Sequence, residues 1–281
     1  MSKTQAEKAQ RFRELHHLDH AFIIPNPWDI GTAKLLQSLG FEALATTSGG
    51  YAFSVGKPDG AIHRDEMIAH AADIVAATDL PVSADLENLY VDDPSQVAET
   101  IRMAAGAGLA GCSIEDVPQG RGNEPYKLEF AAERVRAAAE TAHSLSFPFT
   151  LTARSENFII GKPDLRDTIA RLLAFQEAGA DVLFAPGLKT KEDITTVVRA
   201  VDRPLNVIMG LQGVQLSLAE LSEIGVKRIS VGSALSRAAL GAFLRGAHEM
   251  LERGTFGFAE DVPKYADLNA MFAQGSQGRA A

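Results

Sequence analysis

The spacing of apolar positions switches repeatedly between a helical and a strand period along the chain. Four times, a helical stretch closes on a glycine and gives way two or three residues later to a short β-rich run. Leu35-Leu36-Gln37-Ser38-Leu39-Gly40 precedes Ala43-Leu44-Ala45-Thr46, and Ala104-Ala105-Gly106-Ala107-Gly108 precedes Cys112-Ser113-Ile114-Glu115. Phe175-Gln176-Glu177-Ala178-Gly179 leads to Val182-Leu183-Phe184, and Leu221-Ser222-Glu223-Ile224-Gly225 to Arg228-Ile229-Ser230-Val231. Glycine suits a helix end in the left-handed conformation, which costs any residue that carries a Cβ. Strands joined through helices must run parallel. Strands are expected at residues 22–24, 43–46, 82–85, 111–115, 149–154, 182–185, 205–208 and 228–231. Helices are expected between them, among others at 94–105, 128–143 and 165–178. Eight alternating units without a linker predict one domain over residues 1–281, an α/β fold of the closed (β/α)₈ TIM-barrel type, with an open doubly wound sheet as the alternative. Extra helices are expected at 4–17 and 258–273, and a frayed tail at 274–281.

Residues two apart on a strand share a face. Ser83, Asp85 and Glu87 therefore oppose Val82, Ala84 and Leu86, and Ser113 and Glu115 oppose Cys112 and Ile114. Thr150, Thr152 and Arg154 oppose Leu151 and Ala153. Barrel strands ordinarily bury apolar residues on both faces, so three polar stripes that end in charge are unexpected as packing. They end at the carboxyl ends of the strands, where barrel enzymes keep their chemistry. Charges in such a place must pair with one another or hold a cation. Three carboxylates without a neighbouring His or Cys suit a hard, oxygen-loving ion, Mg²⁺ first and Mn²⁺ as the alternative. The competing explanation is a salt-bridge plug in the barrel mouth.

Composition narrows the partners. The 281 residues carry a formal charge of -9, which argues against a nucleic-acid or anionic-membrane surface. No apolar run reaches the length of a membrane span, and the first residues do not resemble a secretory signal, so a cytoplasmic protein is expected. One cysteine, Cys112, permits neither an internal disulfide nor a cysteine zinc site. The seven histidines show no ligand spacing; His16 and His17 are expected on a polar helix, and His63, His70, His143 and His248 at the surface. Gly232-Ser233 is expected as a turn rather than a phosphate site.

Six motifs then occur in order: Pro25-Asn26-Pro27-Trp28-Asp29, Thr47-Ser48-Gly49-Gly50, Gly56-Lys57-Pro58-Asp59-Gly60, Asp85-Leu86-Glu87-Asn88, Ile114-Glu115-Asp116 and Thr152-Ala153-Arg154-Ser155-Glu156. Together they resemble the isocitrate lyase/phosphoenolpyruvate mutase superfamily, in its short mutase-like branch, over residues 22–244. The resemblance implies that Asp85 touches Mg²⁺ while Glu87 and Glu115 hold its waters. It implies that Ser48, Gly49 and Gly50 offer backbone N–H groups to a substrate carboxylate, that Arg154 stabilises an enolate oxygen, and that Asp59 is an acid near the reacting centre. Without the resemblance, Asp59 reads equally as a turn aspartate before Gly60; Asn26 and Trp28 have weaker claims. The resemblance also implies a homo-oligomer, a tetramer or dimer, with C-terminal helices exchanged; Phe256, Phe258, Leu268, Met271 and Phe272 would fit that exchange or a self-packed helix.

Two departures sharpen the reading. Where the lyase branch carries K-K-C-G-H, this chain reads Val117-Pro118-Gln119-Gly120-Arg121, and Cys112 precedes Glu115 on the apolar face. The mutase branch places a lysine and an asparagine in its lid and a histidine after the sixth strand; here the lid, residues 117–125, offers Gln119, Arg121, Asn123 and Glu124, and the strand ends Ala185-Pro186-Gly187. The function expected is a Mg²⁺-dependent lyase or decarboxylase that cleaves a C–C bond of a small 2-oxo or 2-hydroxy carboxylate, oxaloacetate being the simplest. Phosphonopyruvate hydrolase, phosphoenolpyruvate or carboxyphosphonate mutase, and a non-catalytic ligand-binding barrel are the alternatives.

Overall fold

Parallel strands that each return through a helix lie side by side in the computed structural model, which describes residues 3–120 and 124–274. The strands are β1 (Phe22–Ile24), β2 (Leu44–Ala45), β3 (Val82–Ala84), β4 (Gly111–Glu115), β5 (Thr150–Arg154), β6 (Val182–Phe184), β7 (Leu205–Ile208) and β8 (Arg228–Ser230). The helices run α1 (Gln5–Leu15), α2 (Ile30–Ser38), α3 (Ser48–Ser54), α4 (Arg64–Ala77), α5 (Pro94–Gly106) and α6 (Leu128–His143). They continue with α7 (Leu165–Glu177), α8 (Lys191–Ala200), α9 (Leu218–Ile224), α10 (Ala234–Arg253) and α11 (Tyr265–Gln274). All ladders are parallel, in the order β1-β8-β7-β6-β5-β4-β3-β2. The first strand pairs with the last, which an open doubly wound sheet does not do; the architecture is a (β/α)₈ barrel with extra helices.

The seam between β1 and β2 has a local cause. Pro25 follows β1 and has no N–H to donate, so only its carbonyl joins the two strands, accepting from Ala45 N–H at 3.1 Å. The Asn26 side chain completes the closure, donating to the Thr46 carbonyl at 2.9 Å and accepting from the N–H groups of Val231 and Gly232, both at 2.9 Å. Asn26 thus serves the barrel wall. The four closing glycines expected from the sequence, Gly40, Gly108, Gly179 and Gly225, all take left-handed backbone, φ 87 to 105°.

Cys112 is fully buried among the apolar side chains between sheet and helices, and burial pushes its thiol pKa up, away from reactivity. The expected helix over 258–273 is instead a 3₁₀ turn, Gly257–Asp261, followed by α11. Pro263 disfavours helical backbone in the residue before it, and Val262 is extended accordingly. Residues 275–281, most of the expected tail, lie outside the described residues. No helix among the described residues is long and apolar enough to cross a membrane.

At the amino ends of the strands, Thr4 caps α1 with a capping box, and Phe12 and Leu15 pack on Phe22, Ile24, Ala43 and Ala110. Two histidines expected in polar or surface settings are buried. His70 is 6% exposed and stacks on Tyr51 at 3.8 Å. His16, 3% exposed, stands edge-on to Phe12 and Phe22, with its Nδ1 2.8 Å from the Phe12 carbonyl. Both lie where a turn of helix folds onto an aromatic ring, a contact that local polarity does not reveal.

Burial, reinforced by the Arg228 charge, pushes the His16 pKa from 6.5 down to about 3. Above pH 6.5 the folded and unfolded imidazoles are both neutral. Below it the unfolded chain takes up a proton that the fold refuses, so stability is lost as pH falls from 6.5 towards 3, by at most about 1.4 kcal/mol per pH unit. His16→Gln should therefore flatten the fall in unfolding free energy between pH 7 and pH 5, measured by urea titration. An unchanged fall would show that His16 does not carry it.

Candidate active site

The carboxyl ends of β3, β4 and β5 bring the polar stripes together. Glu115 and Arg154 are paired in register at the ends of β4 and β5, and Asp85 follows β3. Arg154 lies among the carboxylates: its Nη1 is 2.9 Å from Asp85 Oδ1 and 2.9 Å from Glu115 Oε1. Its Nε and Nη2 donate to the two oxygens of Glu156 at 2.8 and 3.3 Å, a bidentate pair that fixes the plane of the guanidinium. The Phe184 ring supports the group 4.9 Å away. Asp85 also accepts from the Ser48 N–H at 3.2 Å and the Ser48 hydroxyl at 3.1 Å, and its own N–H donates to Thr46 Oγ1.

The segment after β3 is strained. Glu87, Leu89 and Tyr90 have φ of 48, 62 and 61°, left-handed values that side chains avoid, at about 1–3 kcal/mol each. Arg134 of α6, buried, holds this turn. Its guanidinium donates to the carbonyls of Asn88, Val91 (2.7 Å) and Asp92 (3.0 Å), and to that of Glu115 at 3.2 Å. Glu87 is thus not on the strand, as alternation alone would have it, but on the turn beyond.

The electrostatics follow from crowding. Burial and the negative charges of Asp85 and Asp59 push the Glu87 pKa up to about 8. Burial also raises Glu115, against the pull of Arg154, and Glu156 in the same way. Asp59, accessible at the rim yet packed beside Gly49, is raised by its partial burial and by Asp85. Burial pulls Arg154 down, but Glu115, Glu156 and Asp85 outweigh it and hold the group well above its ordinary value. One clamp supports the site from behind: Asp116, 2% exposed, accepts from Glu156 N–H at 2.9 Å and from Arg171 at 3.1 Å.

As the side chains stand, no three or more His, Cys, Asp or Glu among the described residues are arranged to hold a metal ion. Asp85 and Glu115 are drawn to Arg154 instead. The donors nevertheless fit a hard divalent cation: all are carboxylate oxygens, Glu87 and Glu115 are raised by burial and by neighbouring negative charge, and Glu87 Oε1 is buried without a hydrogen-bond partner.

A cavity of about 210 Å³ opens beside this cluster, with Ser48, Gly49, Asp59, Asp85 and Arg154 in its wall but neither Glu87 nor Glu115. The expected trio of N–H donors is reduced. The Gly50 N–H caps its own helix on Thr47 Oγ1 at 3.2 Å and the Ser48 N–H serves Asp85, which leaves Gly49 as the one not engaged among the described residues. Gly50 is instead required by packing, since a Cβ there would lie 2.5 Å from Thr47 Cγ2 and 3.2 Å from Trp28 Cβ. Of the expected lid, Gln119 is tied to the carbonyls of Gly60 and Ile62 at 3.1 and 3.2 Å, and residues 121–123 lie outside the described residues. Sequence reasoning gave no role to Glu156, Asp116 or Arg134. The first two follow directly on Arg154-Ser155 and on Glu115, and Arg134 is an arginine in a run of alanines on the buried face of α6, which is the signal that could have found it.

The phosphoenolpyruvate phosphomutase family model matches residues 12–251. A crystal structure from Burkholderia cenocepacia, described as a candidate lyase/mutase, is 59% identical with a TM-score of 0.92, covering 96% of each chain. The 2-methylisocitrate lyase of Halalkalibacterium halodurans is 28% identical over 84% of this chain and 75% of its own. The 2,3-dimethylmalate lyase of Eubacterium barkeri is 29% identical over 77% of each. With eight parallel strands in a barrel and this run of matching sequence, the chain belongs to the phosphoenolpyruvate phosphomutase family, within the isocitrate lyase/phosphoenolpyruvate mutase superfamily of lyases and mutases.

Proposed function

We propose that the chain is a Mg²⁺-dependent carbon–carbon lyase or decarboxylase acting on a small 2-oxo or 2-hydroxy carboxylate of the oxaloacetate type, through a pyruvate-enolate-like intermediate. The observation that carries this is the Arg154 guanidinium, held rigid by Glu156 at the wall of a cavity beside Asp85 and Glu115. Two relatives are named for lyase action on hydroxylated, carboxylate-bearing substrates, 2-methylisocitrate and 2,3-dimethylmalate. Residues 117–125 contain no Cys, His or Lys, which weighs against a cysteine acid and against a lysine-assisted phosphonate route.

Mg²⁺, held by Asp85 with Glu87 and Glu115 around it, would act as a Lewis acid on the oxo and carboxylate oxygens of the substrate. With a 2-oxo substrate such as oxaloacetate, the Arg154 N–H groups are placed to meet negative charge that appears on the oxo oxygen as the C–C bond breaks, the carboxyl group leaves as CO₂ and the electron pair enters the enolate. Donors fixed before the reaction favour that charge over the ground state. Ser48 and the free Gly49 N–H would orient the carboxylate. Asp59, at the rim of the cavity with its acidity weakened by burial and by Asp85, would pass a proton to the enolate carbon.

Oxalate imitates an enolate oxygen beside a carboxylate. Calorimetry should show oxalate binding that requires Mg²⁺ and weakens on the order of tenfold to a hundredfold in Arg154→Ala and Asp85→Ala. Equally tight binding after chelation, or none at all, would remove the lyase reading in favour of a non-catalytic barrel.

The C-terminal segment supports a homo-oligomer, a dimer or tetramer, within the same proposal. Within α10 only Ser236 and Gly246 are buried, while Phe243, Leu244, Leu251 and Phe256 stand exposed over its length and just beyond. The α11 helix contacts α2 of its own chain near Gly31 and Phe272, so α10 supplies most of the apolar surface left to a second copy. Phe243→Glu combined with Leu251→Glu should lower the mass found by light scattering to that of one chain. An unchanged oligomer, or a wild type that is already monomeric, would count against this surface.

A further inference from the structure

Arg228 at the start of β8 lies beside His16 and pairs with none of the carboxylates around Arg154. It belongs to one register row that runs from Arg154 through Phe184 and Asn206 to Arg228. In a barrel whose strands tilt by roughly 36° and lie about 4.8 Å apart, three steps along such a row descend roughly 8 Å towards the amino ends of the strands. Arg228 and Asn206 therefore form a floor below Arg154. Both line the cavity that Arg154 and Asp85 wall, together with Ser230.

This floor is polar, ordered and short of negative charge. Arg228 is 5% exposed and Asn206 fully buried. Arg228 Nε donates to Asn206 Oδ1 at 2.9 Å, and Asn206 Nδ2 donates to Ser230 Oγ at 3.0 Å, which fixes the amide orientation. Arg228 Nη1 lies 3.5 Å from His16 Nε2; with His16 Nδ1 donating to the Phe12 carbonyl, Nε2 presents a lone pair to the arginine. No carboxylate pairs with Arg228 among the described residues, and the remaining N–H groups of the guanidinium have no protein acceptor there. A buried cation without a counter-charge is costly. Burial and the like charge of Arg154 push Arg228 down to about 9, still protonated at neutral pH. A plug that balanced the acidic cluster would be expected to touch one of its carboxylates, and Arg228 touches none.

We propose that Arg228, with Asn206 and Ser230, is an anion subsite at the cavity floor that receives the second carboxylate of a dicarboxylate substrate. The subsite rests on the proposed function, in which the first carboxylate and the oxo group lie at the Asp85 end. It makes the protein select dicarboxylates over 2-oxo and 2-hydroxy monocarboxylates.

Malate and lactate differ in the distal carboxylate and carry the same 2-hydroxy acid end. With Mg²⁺ present, the full-length wild type should bind malate at least about tenfold more tightly than lactate, the scale of one charge-assisted contact. In Arg228→Met that advantage should vanish, while oxalate, which lacks a distal arm, still binds. Arg228→Lys, which keeps the charge without the fork, should give an intermediate ratio and serves if the methionine variant does not fold. A wild type without preference for malate, or a preference that survives both substitutions, would overturn the subsite. Loss of Mg²⁺-dependent oxalate binding in the wild type would instead overturn the lyase reading itself, so the two failures are distinct.

Discussion

The structure of this site depends on a single guanidinium placed among more carboxylates than it can neutralise. Arg154 contacts Asp85, Glu115 and Glu156, while Glu87 and Asp59 crowd the same region without reaching it. Inside a protein such an excess of negative charge is unstable unless protons, a cation or both balance it. That is why burial and mutual repulsion push Glu87 and Glu115 upward, and why a hard cation is the natural complement. It is also why the side chains collapse onto Arg154 rather than onto a common point. Among the described residues, Arg154 is the cation whose side chain pairs with Asp85, Glu115 and Glu156.

Holding that arrangement requires rigid support, which the barrel supplies from behind. Glu156 fixes the plane of Arg154, and Asp116 with Arg171 fixes the backbone of Glu156. Arg134 holds the left-handed turn that carries Glu87 beyond the end of β3. The strain there is a local cost met by four carbonyl contacts of one buried arginine. Asn26 closes the seam that Pro25 opens, so the ends of β1, β2 and β8 stay together beside the cavity.

Much of this was legible in the sequence. The eight strands and the closing glycines follow from periodicity, and Asp85, Glu115 and Arg154 follow from alternation, because a strand end fixes which side chains converge. Other features depend on tertiary contacts that no local pattern encodes. The surroundings of His16 need β8 to bring Arg228 beside it, and the support of the Glu87 turn needs Arg134 of α6 to reach the carbonyls of Asn88 and Val91. The break of the C-terminal helix at Pro263 was visible in the residues, yet the apolar spacing on both sides masked it. Arg228 has a further reason for escaping notice. It begins a strand whose next residues are ordinary, and its meaning appears only when Asn206 and Arg154 are seen on the same register row.

The central claim is that Asp85 and Glu115 must exchange Arg154 for a cation, while Glu156 keeps the guanidinium plane fixed and its N–H groups face the ligand. A crystal structure with Mg²⁺ and oxalate tests it most directly. The expected result is a cation between Asp85, Glu87 and Glu115, with the Arg154 contacts to Asp85 and Glu115 lengthened from 2.9 Å and its N–H groups on an oxalate oxygen. Arg154 still bridging Asp85 and Glu115, with Mg²⁺ or oxalate bound elsewhere, would contradict the account.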